Sequence, residues 1–96
     1  MFDLPVKTKQ DRKRYTEFRR LLLNEGFSML QFSVYARFCA SEEIAQRYRD
    51  RIHDALPPSG HVRLLSVTER QFARMANYVG KLEKTPEKAP EQISFF

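Results

Sequence analysis

Met29-Leu30-Gln31-Phe32-Ser33-Val34-Tyr35-Ala36-Arg37-Phe38 alternates along its whole length, and this period of two decides the fold class. Leu30, Phe32, Val34, Ala36 and Phe38 fall on one side, and Met29, Gln31, Ser33, Tyr35 and Arg37 on the other, polar side. The segment is therefore extended. Alternation alone admits one long strand or two short ones joined by a tight bend near residues 31–33. Among the polar-side residues Ser33 is either an ordinary hydrogen-bonding position or a hydroxyl that orients phosphate, and the first reading is preferred.

The flanking sequence has a helical period. Residues 11–25 place Tyr15, Phe18 and Leu22 on one stripe, with Thr8 as the N-cap and Gly26 as the stop. On the far side, Ser41 caps a second helix that runs to about residue 56, with Ile44, Tyr48, Ile52 and Ala55 facing the core. Pro57-Pro58-Ser59-Gly60 ends it as a loop. Residues 62–67 read as a further strand, and Thr68-Glu69-Arg70-Gln71-Phe72 starts as a capped helical turn. The continuation fits a helix through Phe72, Met75, Ala76 and Val79 or a short strand through Ala73, Met75, Asn77 and Val79, ending at Gly80.

The resulting order of elements is the α+β, ferredoxin-like βαββαβ plan, with both helices on one face of an antiparallel sheet. Residues 1–80 form that domain. Residues 81–91, charged and holding Pro86 and Pro90, read as a linker, and Ile93-Ser94-Phe95-Phe96 as an apolar tail that adds a strand to its own sheet or to a partner's. The first strand is the weak point of the plan. It should be central, yet only Met1 and Phe2 precede Asp3, against the usual ~5–6 residues of a strand. The expectation is that further residues upstream complete it.

Positive charge is concentrated at one place. Residues 7–20 carry seven cations, Lys7, Lys9, Arg12, Lys13, Arg14, Arg19 and Arg20, against Asp11 and Glu17, which accounts for the whole net charge of +5. In the first helix Lys13 and Arg20 lie opposite the apolar stripe, with Arg12 and Arg19 on a flank, so these cations are displayed. Glu43, Arg47, Asp50 and Asp54 of the second helix instead alternate in sign and make a self-paired, solvated surface. A clustered excess of this kind calls for a polyanion, and it is read as phosphate-backbone recognition with little reading of bases. The nucleic-acid-binding set is Lys9, Arg12, Lys13, Arg14, Arg19, Arg20 and Arg37.

Other classes are excluded or disfavoured. No apolar run approaches the ~20 residues of a spanning helix and no signal peptide is present, so a cytoplasmic location is expected. A single cysteine, Cys39, cannot form an internal disulfide, and with only His53 and His61 beside it cannot build a zinc site. Cys39 is expected to be a buried thiol, and the two histidines incidental. Phe27, Phe32, Tyr35, Phe38, Tyr48 and Phe72 are either base-stacking or core residues; most of them fall on apolar stripes, and core is the default reading. A chain of 96 residues buries only about 60–65 % of its unfolded surface, so an oligomer is expected.

Asp3, in Phe2-Asp3-Leu4-Pro5, stands just before the cationic segment. A carboxylate at the edge of a cationic field suits magnesium-assisted phosphodiester hydrolysis, because the metal takes hard oxygen ligands and the cations hold the phosphates. One carboxylate alone is a poor magnesium site. The alternative is that Asp3 simply starts the Asp-Leu-Pro turn by accepting backbone hydrogen bonds.

Phe2-Asp3-Leu4-Pro5-Val6, Thr8-Lys9, Arg12-Lys13, Phe18-Arg19, Gly26-Phe27, Gln31-Phe32-Ser33-Val34-Tyr35, Val62-Arg63, Thr68-Glu69-x-Gln71-Phe72 and Glu91-Gln92-Ile93-Ser94-Phe95-Phe96 together resemble the Cas-two family of CRISPR-associated proteins. The similarity spans nearly the whole chain and looks closest to members accompanying single-effector, Cas-nine-type systems. It implies a homodimer in which strands of one subunit extend the sheet of the other, and a role in CRISPR adaptation, bridging the Cas-one integrase along duplex DNA. It also implies a metal-dependent nuclease on RNA or duplex DNA, with Asp3 and its symmetry mate as Mg2+ ligands and Asp3 catalytic. Three functions are expected in turn: an integration scaffold, a magnesium-dependent endonuclease, and a ferredoxin-like RNA-binding module. The last requires exposed aromatic residues on the open sheet face.

Overall fold

The computed structural model describes residues 1–80 and the backbone of residues 82–84. Its elements run β1 (Phe2–Asp3), α1 (Lys9–Asn24), β2 (Ser28–Gln31), β3 (Val34–Ala36), α2 (Glu42–Asp54), β4 (His61–Val62), α3 (Glu69–Ala73), β5 (Asn77–Val79) and β6 (Leu82–Lys84). This is the expected α+β, ferredoxin-like plan with its helices and antiparallel strand pairs in order.

The helix ends are set by local chemistry. The Thr8 hydroxyl accepts from the Asp11 amide at 3.0 Å and the Asp11 carboxylate accepts from the Thr8 amide at 3.2 Å, a reciprocal capping box that starts α1 at Lys9. At the other end the Phe27 amide donates to the Leu22 carbonyl and the Gly26 amide to that of Leu23, with Gly26 at φ 88. These paired bonds form a Schellman turn, and the contact it favours is present, since Leu22 and Phe27 both enter the same core. Ser41 caps α2 through the Ile44 amide, and Thr68 with Gln71 makes a second capping box on α3.

The alternating segment is a hairpin. β2 and β3 pair antiparallel, Ser28 opposite Ala36 and Gln31 opposite Val34, around a two-residue turn in which Ser33 takes the left-handed conformation at φ 63. Met29 faces Tyr35 while Gln31 faces Val34, so Leu30 is an extra residue and forms a bulge.

Two cores flank β3. Phe2, Leu4, Phe18, Leu22, Phe27, Tyr35 and Ile52 form the larger one, between the two long helices and the two-stranded β1–β4 and β2–β3 sheets. Ala36 and Phe72 form the smaller, with Leu30, Phe38 and Val67 packed against them. Successive residues of a strand point to opposite faces, so Tyr35 and Ala36 place the two cores on the two sides of β3. The polar-side assignment of Tyr35 is thereby corrected: its ring is 2 % exposed and stacks on Phe2 at 5.7 Å. The side read as apolar is the one that α3 covers through Phe72.

β1 is short but bonded on both sides. It pairs antiparallel with β4, Phe2 opposite Val62 and Asp3 opposite His61. The register extends by one position, because the Met1 amine donates to the Arg63 carbonyl at 2.9 Å and the Arg63 amide donates to the Met1 carbonyl at 2.8 Å. On the opposite side the Phe2 amide donates to the Ser33 carbonyl at 3.0 Å. β4 is correspondingly limited to His61–Val62, short of the strand expected over residues 62–67. After α3 the chain takes up both of the expected alternatives, a helical turn and then β5, which pairs with β6, Asn77 opposite Lys84. Leu82–Lys84 is thus strand where a linker is expected, while the remainder of that linker and the apolar tail lie outside the described residues.

Candidate nucleic-acid interface and carboxylate site

The capping box and the Schellman turn fix both ends of α1, and the burial of Phe18 and Leu22 fixes its rotation. At 100° per residue Lys9, Lys13, Thr16 and Arg20 then fall on the line opposite the core. These four, with Gln10, Arg12 and Glu17, line one shallow, open depression. Among the described residues Lys9, Lys13 and Arg20 form no ion pair, and with Arg12 they outnumber Glu17, so the depression is positively charged.

The remaining cations of the expected set are distributed differently. Arg12 borders the depression, but its guanidinium donates to the Val6 and Lys7 carbonyls at 3.2 Å each and so also holds the β1–α1 connection. Arg19 is exposed outside the depression, and Arg14 is half-buried beside Leu4, Pro5 and Pro57. Arg37 stands apart from all of them. Its guanidinium donates to the Glu25 carbonyl at 2.8 Å, the Phe38 carbonyl at 2.7 Å and the Tyr48 hydroxyl at 2.6 Å, and lies 4.1 Å from the Tyr48 ring centroid. Those bonds tie β3 to α1 and α2 and occupy the donors that a phosphate would need.

Asp3 ends β1 on the face away from α1 and α2. Phe2 and Val62 point into the core from opposed positions, so their strand neighbours Asp3, His61, Arg63 and Met1 project outward. Asp3, His61 and Arg63 line a second open depression with Phe32, Ser33 and Val34 from the β2–β3 turn. The backbone is tightly fixed here. A Cβ on Gly60, which has φ +95, would stand 2.7 Å from the Asp3 carbonyl oxygen and 2.7 Å from Leu4 Cδ2. Beside it the Met1 amine is half-buried, and burial pushes its pKa down from 8.0.

For a metal, the donor set of one chain is small. Among the described residues no three His, Cys, Asp or Glu side chains converge, so one protomer offers the Asp3 carboxylate alone with His61 beside it. An exposed carboxylate on an open face suits Mg2+, which keeps several waters and needs few protein ligands. Sequence reasoning misses His61, Arg63 and the exposure of Phe32, because their proximity depends on a β1–β4 register and a turn that no local pattern reports.

Comparison with known proteins bears on the same residues. The sequence model of the family described as CRISPR associated protein Cas2 matches residues 1–75. The chain belongs to the Cas2 family. A relative from Parvibaculum lavamentivorans named CRISPR-associated endoribonuclease Cas2 is 45% identical over 96 residues, covering 100% of this chain and 95% of the relative. One of the same name from Flavobacterium psychrophilum is 43% identical over 95 residues, 99% of this chain and 83% of its own length. One from Acidovorax ebreus is 53% identical over 79 residues, 82% and 78% of the two chains. The Cas2 match includes both the Asp3 face and all of α1. Among the described residues, no helix of this Cas2 protein is long and apolar enough to cross a membrane.

Proposed function

We propose that this Cas2 protein is a homodimeric adaptation scaffold that holds the backbone of duplex DNA and bridges the Cas-one integrase during spacer acquisition. The observation that carries this reading is the row of Lys9, Lys13 and Arg20 on the solvent side of α1, in a depression where Glu17 is the one carboxylate against these cations and Arg12. Duplex DNA presents a charge about every 1.7 Å along its axis, and a line of cations on a straight helix meets it by counterion release without contacting bases. Exposed Tyr78 and Val79 on β5 supply apolar surface of the kind a second subunit covers. The quoted residues that resemble members from Cas-nine-type systems point to that context. The test is spacer integration reconstituted with the integrase. Reversing the charge of Lys13 and Arg20 should lower integration at least tenfold, while Asp3→Ala leaves it intact; equal integration by the charge-reversed protein would refute the scaffold reading.

A second reading is favoured by Asp3 and by the relatives' name, endoribonuclease. In this reading Asp3 and its symmetry mate would hold Mg2+, which would polarise a phosphate and lower the pKa of a bound water. Asp3 holds its place through the β1–β4 register, with Gly60 packed against its carbonyl, and Arg63 gives the surrounding face positive charge. Loss of magnesium-dependent RNA cleavage in Asp3→Ala, with binding retained, is the expected result. Unchanged cleavage would remove Asp3 from the site.

A further inference from the structure

Phe32 is the most exposed large apolar side chain among the described residues, at 78 %. It occupies the tip of the β2–β3 turn, where a loop residue is ordinarily polar. Its ring is not loose, since it stacks against Tyr15 of α1 at 6.2 Å and 23°. One face of a phenyl ring is thus backed by protein and the other is presented to solvent. Ser33, next in sequence, is held by its carbonyl to the Phe2 amide at 3.0 Å, so the turn that carries the ring is tied to the strand that carries Asp3. The depression below the ring is lined by Phe32, Ser33, Asp3, His61 and Arg63. The Arg63 side chain makes no ion pair among the described residues, and its backbone is fixed by two bonds to Met1.

We propose that Phe32 and Arg63 form a nucleotide subsite for single-stranded RNA beside Asp3, the base stacking on the Phe32 ring and the phosphate held by the Arg63 guanidinium. It rests on the endoribonuclease reading for its place beside Asp3, but concerns binding rather than cleavage. The spacing suits it. Diagonal neighbours across an antiparallel pair stand about 7–8 Å apart, so Asp3 and Arg63 leave room between them for one phosphate group. A ring with a free face accepts an unstacked base, whereas the bases of a duplex stay stacked on one another. The subsite therefore selects single strands, and α1 with its row of cations is left to take duplex.

The experiment measures binding of a fluorescent uridine-rich RNA 12-mer and of a DNA duplex of equal length, in chelator so that cleavage is silent. The variants are Phe32→Ala, Phe32→Trp and Arg63→Gln. Phe32→Ala should weaken RNA binding about tenfold, within the range of base–aromatic stacking, and leave duplex binding unchanged. Phe32→Trp should restore it, and Arg63→Gln should weaken RNA binding and make its salt dependence shallower by about 0.7 in log–log slope. Binding in chelator is read without any cleavage, so failure of the cleavage reading leaves this result standing. Equal loss of RNA and duplex binding in Phe32→Ala, or no loss of either, would overturn the subsite. So would a fall in sedimentation coefficient in Phe32→Ala, which would make the ring a contact between subunits.

Discussion

The Arg37 guanidinium lies 4.1 Å from the ring centroid of Tyr48 and donates to the hydroxyl of the same residue at 2.6 Å, so β3 is fastened to α2 by one side chain. The same group reaches the Glu25 carbonyl at the end of α1, and Arg51 pairs with the Glu25 carboxylate at 2.8 Å from α2. Arg37→Ala should therefore destabilise the fold by about 2–4 kcal/mol, because several half-buried acceptors lose a charged donor at once. Arg37→Lys should recover less than half, since an ammonium cannot reproduce the planar fork. Urea midpoints at constant m-value measure both. A loss under about 0.5 kcal/mol with weakened DNA binding would return Arg37 to the interface.

Gly60 supports Asp3 from behind. An added Cβ would sit 2.7 Å from the Asp3 carbonyl oxygen, in a backbone conformation at φ +95 that side chains rarely adopt. Gly60→Ala is expected to cost about 1–3 kcal/mol, read as a lower thermal midpoint. Ser59→Ala, one residue away and exposed, should stay within about 0.5 kcal/mol.

Tyr35 and Phe32, three residues apart, should behave oppositely. Tyr35→Ala removes a ring that is 2 % exposed and should cost about 3–5 kcal/mol, while Phe32→Ala removes one that is 78 % exposed and should cost less than about 1 kcal/mol. Parallel denaturation curves check this directly.

These two aromatic residues also mark where the sequence ceases to be legible. Local signals suffice for the helix ends, because a cap is chemistry between residues three apart, as in Thr8 with Asp11 and Thr68 with Gln71. Gly26 is likewise readable as a stop. The hairpin is not decided by its sequence, since Phe32-Ser33 carries neither glycine nor asparagine, and Ser33 still adopts a positive φ. Tyr35 alternates with polar neighbours, yet its face is the one the helices cover. Leu82–Lys84 reads as linker from its charges and forms a strand because it pairs with β5. Arg37 looks like a free cation until its partners on α1 and α2 are known. Asp3, His61 and Arg63 converge only through a register that joins residues about sixty positions apart.

The α1 row should matter for binding and little for folding. Lys9, Lys13 and Arg20 are exposed, so replacing all three by glutamate should move the urea midpoint only slightly.

The salt dependence of duplex DNA binding by that triple variant, against the wild type, reports whether α1 carries the duplex. If α1 holds the phosphate backbone, log affinity against log salt should be shallower by about 2–3 for the variant, near 0.9 for each phosphate contact removed. Identical slopes and affinities for the two proteins would contradict the account and place the duplex on another surface.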